Sequence, residues 1–312
     1  MKYLVVGEPC IDIIHKHNGE TIHSYGGILY SLLAMSVFCR STDEIYPIMN
    51  LGADEYSNVM NLLRQYKNIS TEGIKKIEFP TRRVFLDYSL MNISQKERFE
   101  TSSHPTYPIE YEDIERWLPG TDAILINMVS GVDIGLDTLR KVRANFKGFM
   151  HIDIHNIVMR TNEDGTREHV KNREWVEWCT STDTVQMNET EMTYLSDEKM
   201  KEYKVAEEIL INSKMDVKAV IITRGINGVS CYTTKEKTYG SESFTDIDKK
   251  DLSAIENPEF MDSTGCGDVF AAGFVYEYTQ SKDLSKSLHF ANRMASYNTS
   301  LEGIDQLYKL IS

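Results

Sequence analysis

Long apolar runs and an excess of positive charge are both missing from this sequence. No stretch approaches the roughly 20 apolar residues that a membrane helix needs, and the apolar start of the chain is too short for a signal peptide. The formal net charge is -13, whereas a nucleic-acid-binding protein is expected to present a basic face. The sequence therefore predicts a cytoplasmic protein that binds neither membrane nor nucleic acid.

Cysteine is scarce as well, with 5 residues in 312 at positions 10, 39, 179, 231 and 266. The number is odd, the residues are widely spread and no C-x-x-C pair occurs, which indicates reduced thiols and not a disulfide framework or a zinc site. Internal repeats are also lacking. With 41% hydrophobic and 26% charged residues, the composition is ordinary, and the chain is long enough for a substantial core.

Apolar segments of strand length alternate with amphipathic segments of helix length. This alternation is typical of a mainly parallel sheet covered by helices. The predicted core strands are 3–6, 45–49, 123–128, 149–154, 184–187, 219–223 and 229–232. The predicted helices are 28–39, 56–66, 111–118, 136–146, 189–195, 206–212, 269–279 and 284–300.

Two segments interrupt the alternation with a strand-turn-strand pattern. One, at about 13–25, has Asn18-Gly19 at its centre, a strong hairpin signal. The other, at about 81–103, has two strands joined by a turn at 92–95. Each segment is polar on one side and apolar on the other, so we expect them to form a small β-sheet lid over a ligand site within a single domain spanning 1–312.

A glycine-containing turn at 262–268 feeds the predicted helix from Val269. Gly265 and Gly267 allow a tight turn and close approach of the backbone to a ligand. The amides of Gly265, Cys266 and Gly267 at a helix N-terminus favour an anion, yet Asp268 places a carboxylate there. Asp268 is therefore a candidate general base, with the amides holding a phosphoryl group as charge develops.

The segment Asp262 to Asp268 resembles the D-T-x-G-x-G-D motif of the PfkB (ribokinase-like) carbohydrate kinases, with Ser263 at the usual threonine. Two further stretches resemble the sugar-binding motifs of this family. Gly26-Gly27 opens an apolar helix in which Ser31 stands at the usual asparagine, and Gly52-Ala53-Asp54 follows the next strand. The resemblance implies that the acceptor is bound by Asp12, Gly26, Gly27 and Asp54.

The same resemblance extends to the second half of the chain. It implies magnesium at Asn188 and Glu191, which match N-x-x-E, and it implies ATP at Thr223, Gly225, Gly228 and Asn292. The implied protein has a three-layer α/β/α core with a small sheet as a lid. It is implied to be an ATP- and Mg²⁺-dependent sugar kinase, with potassium activation left open. Because lid strands with one apolar face must cover something apolar, we also expect a homodimer formed through the lid.

Several alternatives stay open at this point. The acceptor could be a nucleoside or a sugar acid, although the negative net charge favours a neutral sugar over an anion held by Arg82, Arg83 or Arg98. A non-catalytic sugar or nucleotide sensor would not need Asp268. An NAD-dependent oxidoreductase would need G-x-G-x-x-G after the first strand, and that motif is lacking.

Two charged segments have alternative interpretations. His151, Asp153 and His155 fall at i, i+2 and i+4 of a predicted strand and could bind zinc or iron on one face, although the segment also resembles a metal-free part of the kinase site. The stretch from Arg160 to Arg173 is interpreted as a solvated surface excursion, with Arg160 or Arg167 reaching a ligand as the less favoured alternative.

Overall fold

The computed structural model describes residues 1–16, 18–87, 99–196, 200–239 and 242–311. The predicted turn at 92–95 and Arg98 lie outside these residues, as does part of the predicted insertion at 81–103.

A large mixed sheet forms the centre of the molecule. Its strands are β1 (Lys2–Val6), β4 (Glu44–Gly52), β5 (Ile74–Ile77), β8 (Ala123–Asn127), β9 (Phe149–Asp153), β12 (Thr184–Asn188), β13 (Ala219–Thr223), β14 (Val229–Tyr239) and β15 (Glu242–Leu252). They lie in the order β15-β14-β13-β12-β9-β8-β1-β4-β5. The pairs from β13 through to β5 are parallel, and only the β13-β14 and β14-β15 pairs are antiparallel.

Helices cover both faces of this sheet. They are α1 (Ile28–Phe38), α2 (Tyr56–Leu63), α3 (Tyr111–Ile114), α4 (Leu136–Asn145), α5 (Trp175–Thr180), α6 (Glu189–Tyr194), α7 (Glu202–Glu207), α8 (Cys266–Ser281) and α9 (Leu284–Asn298). Short 3₁₀ segments lie at Thr71–Gly73, Glu115–Trp117, Gly225–Asn227 and Ile304–Ile311, and α7 continues as a π-helical turn over Glu208–Asn212.

Alternation along the buried strands divides the core into two layers. In β1, Tyr3 and Val5 pack with α1, α8 and α9, whereas Leu4 and Val6 pack with α4, α5 and α7 on the other face. Successive strand side chains point to opposite faces, and parallel strands buried on both faces become apolar throughout. This explains why these strands appear in the sequence as continuous apolar runs, and it produces the predicted helix-sheet-helix layering.

A second, smaller sheet is built from the two interrupting segments. Its strands are β2 (Pro9–His15), β3 (Thr21–Gly27), β6 (Arg82–Asp87) and β7 (Phe99–Ser102), in the order β3-β2-β6-β7. Cys10, Asp12, Arg82 and Val84 share one face of this sheet, because Cys10 lies opposite Arg82 and Asp12 opposite Val84 in the parallel β2-β6 pair. The predicted hairpin around Asn18-Gly19 joins β2 to β3.

A two-stranded ribbon of β10 (Met159–Thr161) and β11 (Arg167–His169) lies in the stretch interpreted from sequence as a solvated excursion. That interpretation is wrong for Arg167, whose side chain is 6% exposed and forms an ion pair with Glu100. It holds for Arg160, which is 64% exposed. Among the described residues, no helix is long and apolar enough to cross a membrane.

Candidate active site

The candidate site lies where the parallel strands of the large sheet end. Asn127 at the end of β8, Asp153 at the end of β9 and Gln186 in β12 lie side by side in register. In open α/β sheets, ligands bind at the carboxyl ends of the strands. A cavity of about 320 Å³ opens at this edge, and Asp153, Gln186 and Asp268 line it together with residues of the small sheet.

Asp268 enters this cavity from the first turn of α8. Its Oδ1 accepts a hydrogen bond from Asn127 Nδ2 and a longer one, 3.4 Å, from Ser31 Oγ. Burial raises the pKa of the Asp268 carboxyl, while His155, Asn127 and Ser31 act to lower it. Asp268 is thus a carboxylate of enhanced basicity held in a fixed orientation.

Ser31 was noted in the sequence as standing at a usual asparagine of the sugar motif. The structure places it behind Asp268, fully buried, where it also accepts from Asn127 Nδ2 at 3.1 Å. The serine at this position therefore contacts the carboxylate of Asp268. Ser31 is not among the residues that line the cavity.

The turn before α8 depends on a glycine at position 265. Gly265 has φ 74°, and a Cβ there would lie 2.2 Å from Tyr30 Cδ1, so neither the conformation nor the space admits a side chain. Thr264 N donates to Asp262 Oδ1 at 3.1 Å, and Cys266 N donates to the Ser263 carbonyl at 3.2 Å. The turn is thereby fixed, and Gly265 and Gly267 line the cavity.

Asp12 reaches the cavity from β2 of the small sheet. Its carboxylate lies against β3, because a Cβ on Gly26 would be 2.2 Å from Asp12 Oδ2. Cys10 Sγ donates to Asp12 Oδ1 at 3.3 Å, and Gly27 also lines the cavity. Asp12 thus belongs to the small sheet and Asp268 to helix α8, and both line the same cavity.

Asn188 and Glu191 form a capping box at the start of α6. Asn188 Oδ1 accepts from Glu191 N at 2.9 Å, and Glu191 Oε2 accepts from Asn188 N at 2.7 Å. His155 Nδ1 lies 3.3 Å from Glu191 Oε1, and the ligand atoms of Asp153, His155 and Glu191 lie within 4.8 Å of one another.

The electrostatics of this group favour a hard cation held by oxygen. Burial acts to lower the pKa of His155, but Glu191, Asp153 and Asp268 together raise it to about 9, which favours a protonated ring over one that ligates a metal. Burial raises the pKa of Asp153 as well, an effect that a bound cation would oppose. Carboxylate and amide oxygens fit Mg²⁺, which prefers such ligands and retains several waters.

The alternative metal site at His151, Asp153 and His155 is not assembled. Strand β9 ends at Asp153, and His155, with φ 30°, lies in the turn that follows, beside Glu191 and not beside His151 on one strand face. His151 is fully buried and bonded through Nδ1 to Thr184 Oγ1 at 2.8 Å, and burial lowers its pKa to about 3. The hypothesis assumed that the strand continued through residue 155, which the backbone contradicts.

Other predicted residues lie outside the cavity. Asp54 accepts from Thr81 N at 2.8 Å and from Arg83 Nη2 at 3.0 Å, so it joins the large sheet to the small one. Cys266 Sγ donates to the Ala295 carbonyl at 3.4 Å, which places it between α8 and α9.

The residues predicted to bind the nucleotide are divided between two places. Thr223 lines the cavity, and Gly225 and Gly228 form the turn after β13. A Cβ on Gly228 would lie 2.0 Å from the Leu252 carbonyl oxygen, and Asn292 Nδ2 donates to the Ser253 carbonyl at 2.8 Å. Gly228 and Asn292 thus approach the same segment just after β15.

Asn127 and Gln186 were missed from the sequence. Gln186 Nε2 donates to Asp153 Oδ2 at 2.9 Å and to the Gly267 carbonyl at 3.1 Å, so it joins the sheet edge to the turn before α8. Both residues end or nearly end a predicted strand, and polar side chains at that position of a parallel strand are the signal that could have found them.

Comparison with known proteins shows what this chain resembles. Residues 161–307 match the model of the pfkB family carbohydrate kinases. This confirms the resemblance that the motifs predicted. No curated protein matches the sequence.

Solved structures share the fold over almost the whole chain. A ribokinase from Thermotoga maritima is 19% identical with a TM-score of 0.68, covering 99% of this chain and 98% of its own. An Arabidopsis thaliana ribokinase complexed with ribose and ATP is 17% identical with a TM-score of 0.69, covering 99% and 97%. A pyrophosphate-dependent kinase of the ribokinase family, complexed with a pyrophosphate analogue and myo-inositol, is 15% identical with a TM-score of 0.69, covering 97% and 96%. The predicted ribokinase-like fold with its additional small sheet is confirmed.

Proposed function

We propose that this chain, in which residues 161–307 match the pfkB carbohydrate kinases and the whole chain has the ribokinase fold, transfers the γ-phosphoryl group of ATP to a hydroxyl of a small carbohydrate or related acceptor. The observation that carries the proposal is the position of Asp268. It combines a buried carboxylate of raised pKa with a glycine turn at the N-terminus of α8, in a cavity that Asp12 also lines.

The proposed step is an in-line displacement. Asp268 takes the proton of the acceptor hydroxyl, the hydroxyl oxygen forms a bond to the γ-phosphorus, and the bond between that phosphorus and the oxygen of ADP breaks. The amides of Gly265 and Gly267 face the transferring group, and the amide of Cys266 joins them by releasing the Ser263 carbonyl. Asp12 orients the acceptor through its other hydroxyls, with Gly26 and Gly27 allowing close approach.

We place the nucleotide along Thr223 and the turn at Gly225 and Gly228, with Asn292 fixing the neighbouring segment at Ser253. Mg²⁺ would be held by oxygen atoms of Asn188, Glu191 and Asp153, and when bound it would neutralise charge on the phosphates. Asp54 contributes to the acceptor site indirectly, by fixing Thr81 beside Arg82. Potassium activation and a homodimer through the small sheet complete the proposal, and a cytoplasmic location agrees with the unpaired state of all five cysteines.

The test is acceptor-stimulated consumption of ATP. Pentoses, hexoses, sugar acids, nucleosides and phosphosugars are each added to protein with ATP and Mg²⁺, with parallel arms that contain pyrophosphate or replace potassium with sodium. We expect at least one acceptor to raise ADP formation far above the acceptor-free rate. A protein that binds sugar or nucleotide but forms no phosphorylated product with either donor would be a sensor, and the proposal would be rejected.

A further inference from the structure

Two buried arginines line the acceptor side of the cavity. Arg82, on β6, is 1% exposed, and its Nε and Nη1 donate to Ser102 Oγ at 2.9 Å and to the Val129 carbonyl at 3.1 Å. Arg167, on β11, is paired through Nη1 with Glu100. Both arginines border the same cavity as Asp12 and Asp268.

These guanidinium groups keep donors that the described part of the chain does not use. Nη2 of Arg82, and both Nε and Nη2 of Arg167, are buried without a hydrogen-bond partner there. Nearly all buried polar groups in native proteins are hydrogen-bonded, and a charged donor without a partner is especially costly. Three such nitrogen atoms, on two side chains that line one cavity, indicate a ligand that supplies acceptors.

The free donors of Arg167 have a particular geometry. Nε and Nη2 form one edge of the planar guanidinium, and their N–H bonds point in parallel. That edge matches the two oxygens of a carboxylate or phosphate, which accept both bonds at once. A sugar hydroxyl offers a single oxygen that also needs to donate its own hydrogen, so it satisfies this edge less completely.

The acids near Arg82 neutralise its charge only in part. Glu8 Oε2 stands 3.9 Å from Arg82 Nη1 and has no hydrogen-bond partner among the described residues, while Glu8 Oε1 accepts from Thr106 N at 2.7 Å. Burial raises the pKa of the Glu8 carboxyl, although Arg82 opposes this, so Glu8 is a weakened counter-ion. Asp133, also near Arg82, is engaged by Ser130 and by Glu8 N.

The two positive charges also repel each other. Burial lowers the pKa of the Arg167 guanidinium, Glu100 acts to raise it, and the charge of Arg82 lowers it further. An anion between the two guanidinium groups would reduce their repulsion and accept hydrogen bonds from the unused donors. The cavity, at about 320 Å³, is of a size for a small molecule.

We propose that the acceptor carries an anionic group, a carboxylate or a phosphate, bound by Arg167 through its Nε–Nη2 edge with Arg82 Nη2 as a further donor. This rests on the proposed kinase function and narrows its substrate class. It replaces the neutral sugar that the overall charge favoured, because two buried cations in contact with the ligand act more strongly than a screened surface charge. Arg83, by contrast, is paired with Asp54 outside the cavity.

Binding without a phosphoryl donor tests this directly. Calorimetry compares matched pairs of small molecules: D-gluconate with D-glucitol and D-ribonate with D-ribitol for a carboxylate, and fructose 6-phosphate with fructose and ribose 5-phosphate with ribose for a phosphate. We expect the anionic member of at least one pair to bind about 30-fold more tightly or better, as two charge-assisted hydrogen bonds predict. The series that shows the difference identifies the anion.

Arg167→Gln should remove most of that difference and leave binding of the neutral partner unchanged. Arg167→Lys, which keeps the charge but not the two-donor edge, should recover only part of it. Arg160→Gln is the matched control, because Arg160 lies on the same ribbon but is exposed and paired with Glu168. Melting temperatures identify any variant that has lost its fold. If Arg167→Gln does not fold, the anion affinity of Arg167→Lys is compared with that of the wild type instead.

The outcomes separate this inference from the kinase proposal. If every neutral partner binds as tightly as its anion, or if Arg167→Gln binds the anion as tightly as the wild type does, the anion site is rejected and the kinase stands. If an anion binds through Arg167 but neither ATP nor pyrophosphate phosphorylates it, the anion site stands and the kinase proposal is rejected.

Discussion

Asp268 is the residue on which the proposed chemistry depends most directly. We expect Asp268→Asn to lower kcat by about a thousandfold or more, because the amide cannot accept the hydroxyl proton, while the turn at 263–267 keeps its shape. ATP should still bind, since no proposed nucleotide contact is lost. Single-turnover kinetics and ATP calorimetry measure the two effects, and a variant within tenfold of wild type would show that Asp268 is not the base.

Asn127 tunes this carboxylate, and the effect should be visible in the pH profile. Asp268 acts as a base only when deprotonated, so kcat/KM falls as the pH drops through its raised pKa. The Asn127 hydrogen bond stabilises the charged form and lowers the pKa, so Asn127→Ala should move the acid limb to higher pH and reduce the rate more on the acid limb than on the plateau above it.

Asn50→Ala is the control for this shift. Asn50 is a buried amide that donates to the Tyr107 carbonyl at 2.9 Å, and it is not among the residues lining the cavity. Its loss costs stability without touching Asp268, so the acid limb should stay in place. An equal shift in both variants would mean that general destabilisation, and not the Asn127 bond, moves the profile.

Asp12 should affect one substrate only. Asp12→Ala removes a carboxylate that faces the acceptor from β2, so acceptor affinity should fall about tenfold or more, as expected for lost hydrogen bonds to a charged group. ATP affinity should stay nearly constant. Calorimetry with each ligand separately measures this, and an equal loss for both would contradict the assignment.

At the scale of elements, the turn after β13 is fixed by its contact with the end of β15. Gly228 has φ 90°, and any Cβ would collide with the Leu252 carbonyl. Gly228→Ala should therefore destabilise the protein by about 1–3 kcal/mol and raise the KM for ATP severalfold. Gly120→Ala is the control, because Gly120 has φ 73° with open space around it, so it reports backbone strain alone. Equal losses of stability and unchanged ATP kinetics would refute the role of this contact.

Most strands of the large sheet could be predicted because they are buried on both faces and therefore appear in the sequence as continuous apolar runs. Strands such as β8 and β13 were located to within a residue. The ribbon β10-β11 and strand β15 were missed, because they are short or polar and take their shape from pairing, which a local pattern does not record.

The site was predictable to the extent that its residues fall within a continuous motif. Asp268 and Gly265 lie in one turn, and Asp12 follows a predicted strand, so all three could be named as candidates from the sequence, and all three line the cavity. Arg167 was misjudged because its environment comes from Glu100 and Arg82, which are distant in sequence. A charged residue in a charged stretch gives no local sign that it will be buried.

At the scale of the whole molecule, the small sheet should mediate assembly. Its edge strands are β3 and β7, and Phe85 on the face away from the cavity is 37% exposed. The edge of β7 is bridged by Thr166, so the edge of β3 and the exposed apolar side chain of Phe85 are the features that favour pairing with a second copy. We expect a homodimer, and Phe85→Lys should shift it to the mass of a monomer in light scattering and weaken acceptor binding.

Phe244→Lys provides the comparison, since Phe244 is 50% exposed on β15 of the large sheet. The Phe244→Lys protein should have the same mass in light scattering and the same acceptor affinity as the wild type. A wild-type protein that is already monomeric, or a Phe85→Lys protein of unchanged mass, would show that the small sheet does not assemble the molecule.

The alternation of side chains in the small sheet has an evolutionary consequence. Asp12, Arg82 and Val84 face the cavity, whereas Phe85 faces outward, and none of them belongs to the turn that carries Asp268. Selection can therefore alter the choice of acceptor through alternate positions of two strands while the proposed machinery of phosphoryl transfer is inherited unchanged. Drift at the intervening positions changes how copies associate, so the side chains that select the acceptor and those that govern assembly are different targets of mutation within one sheet.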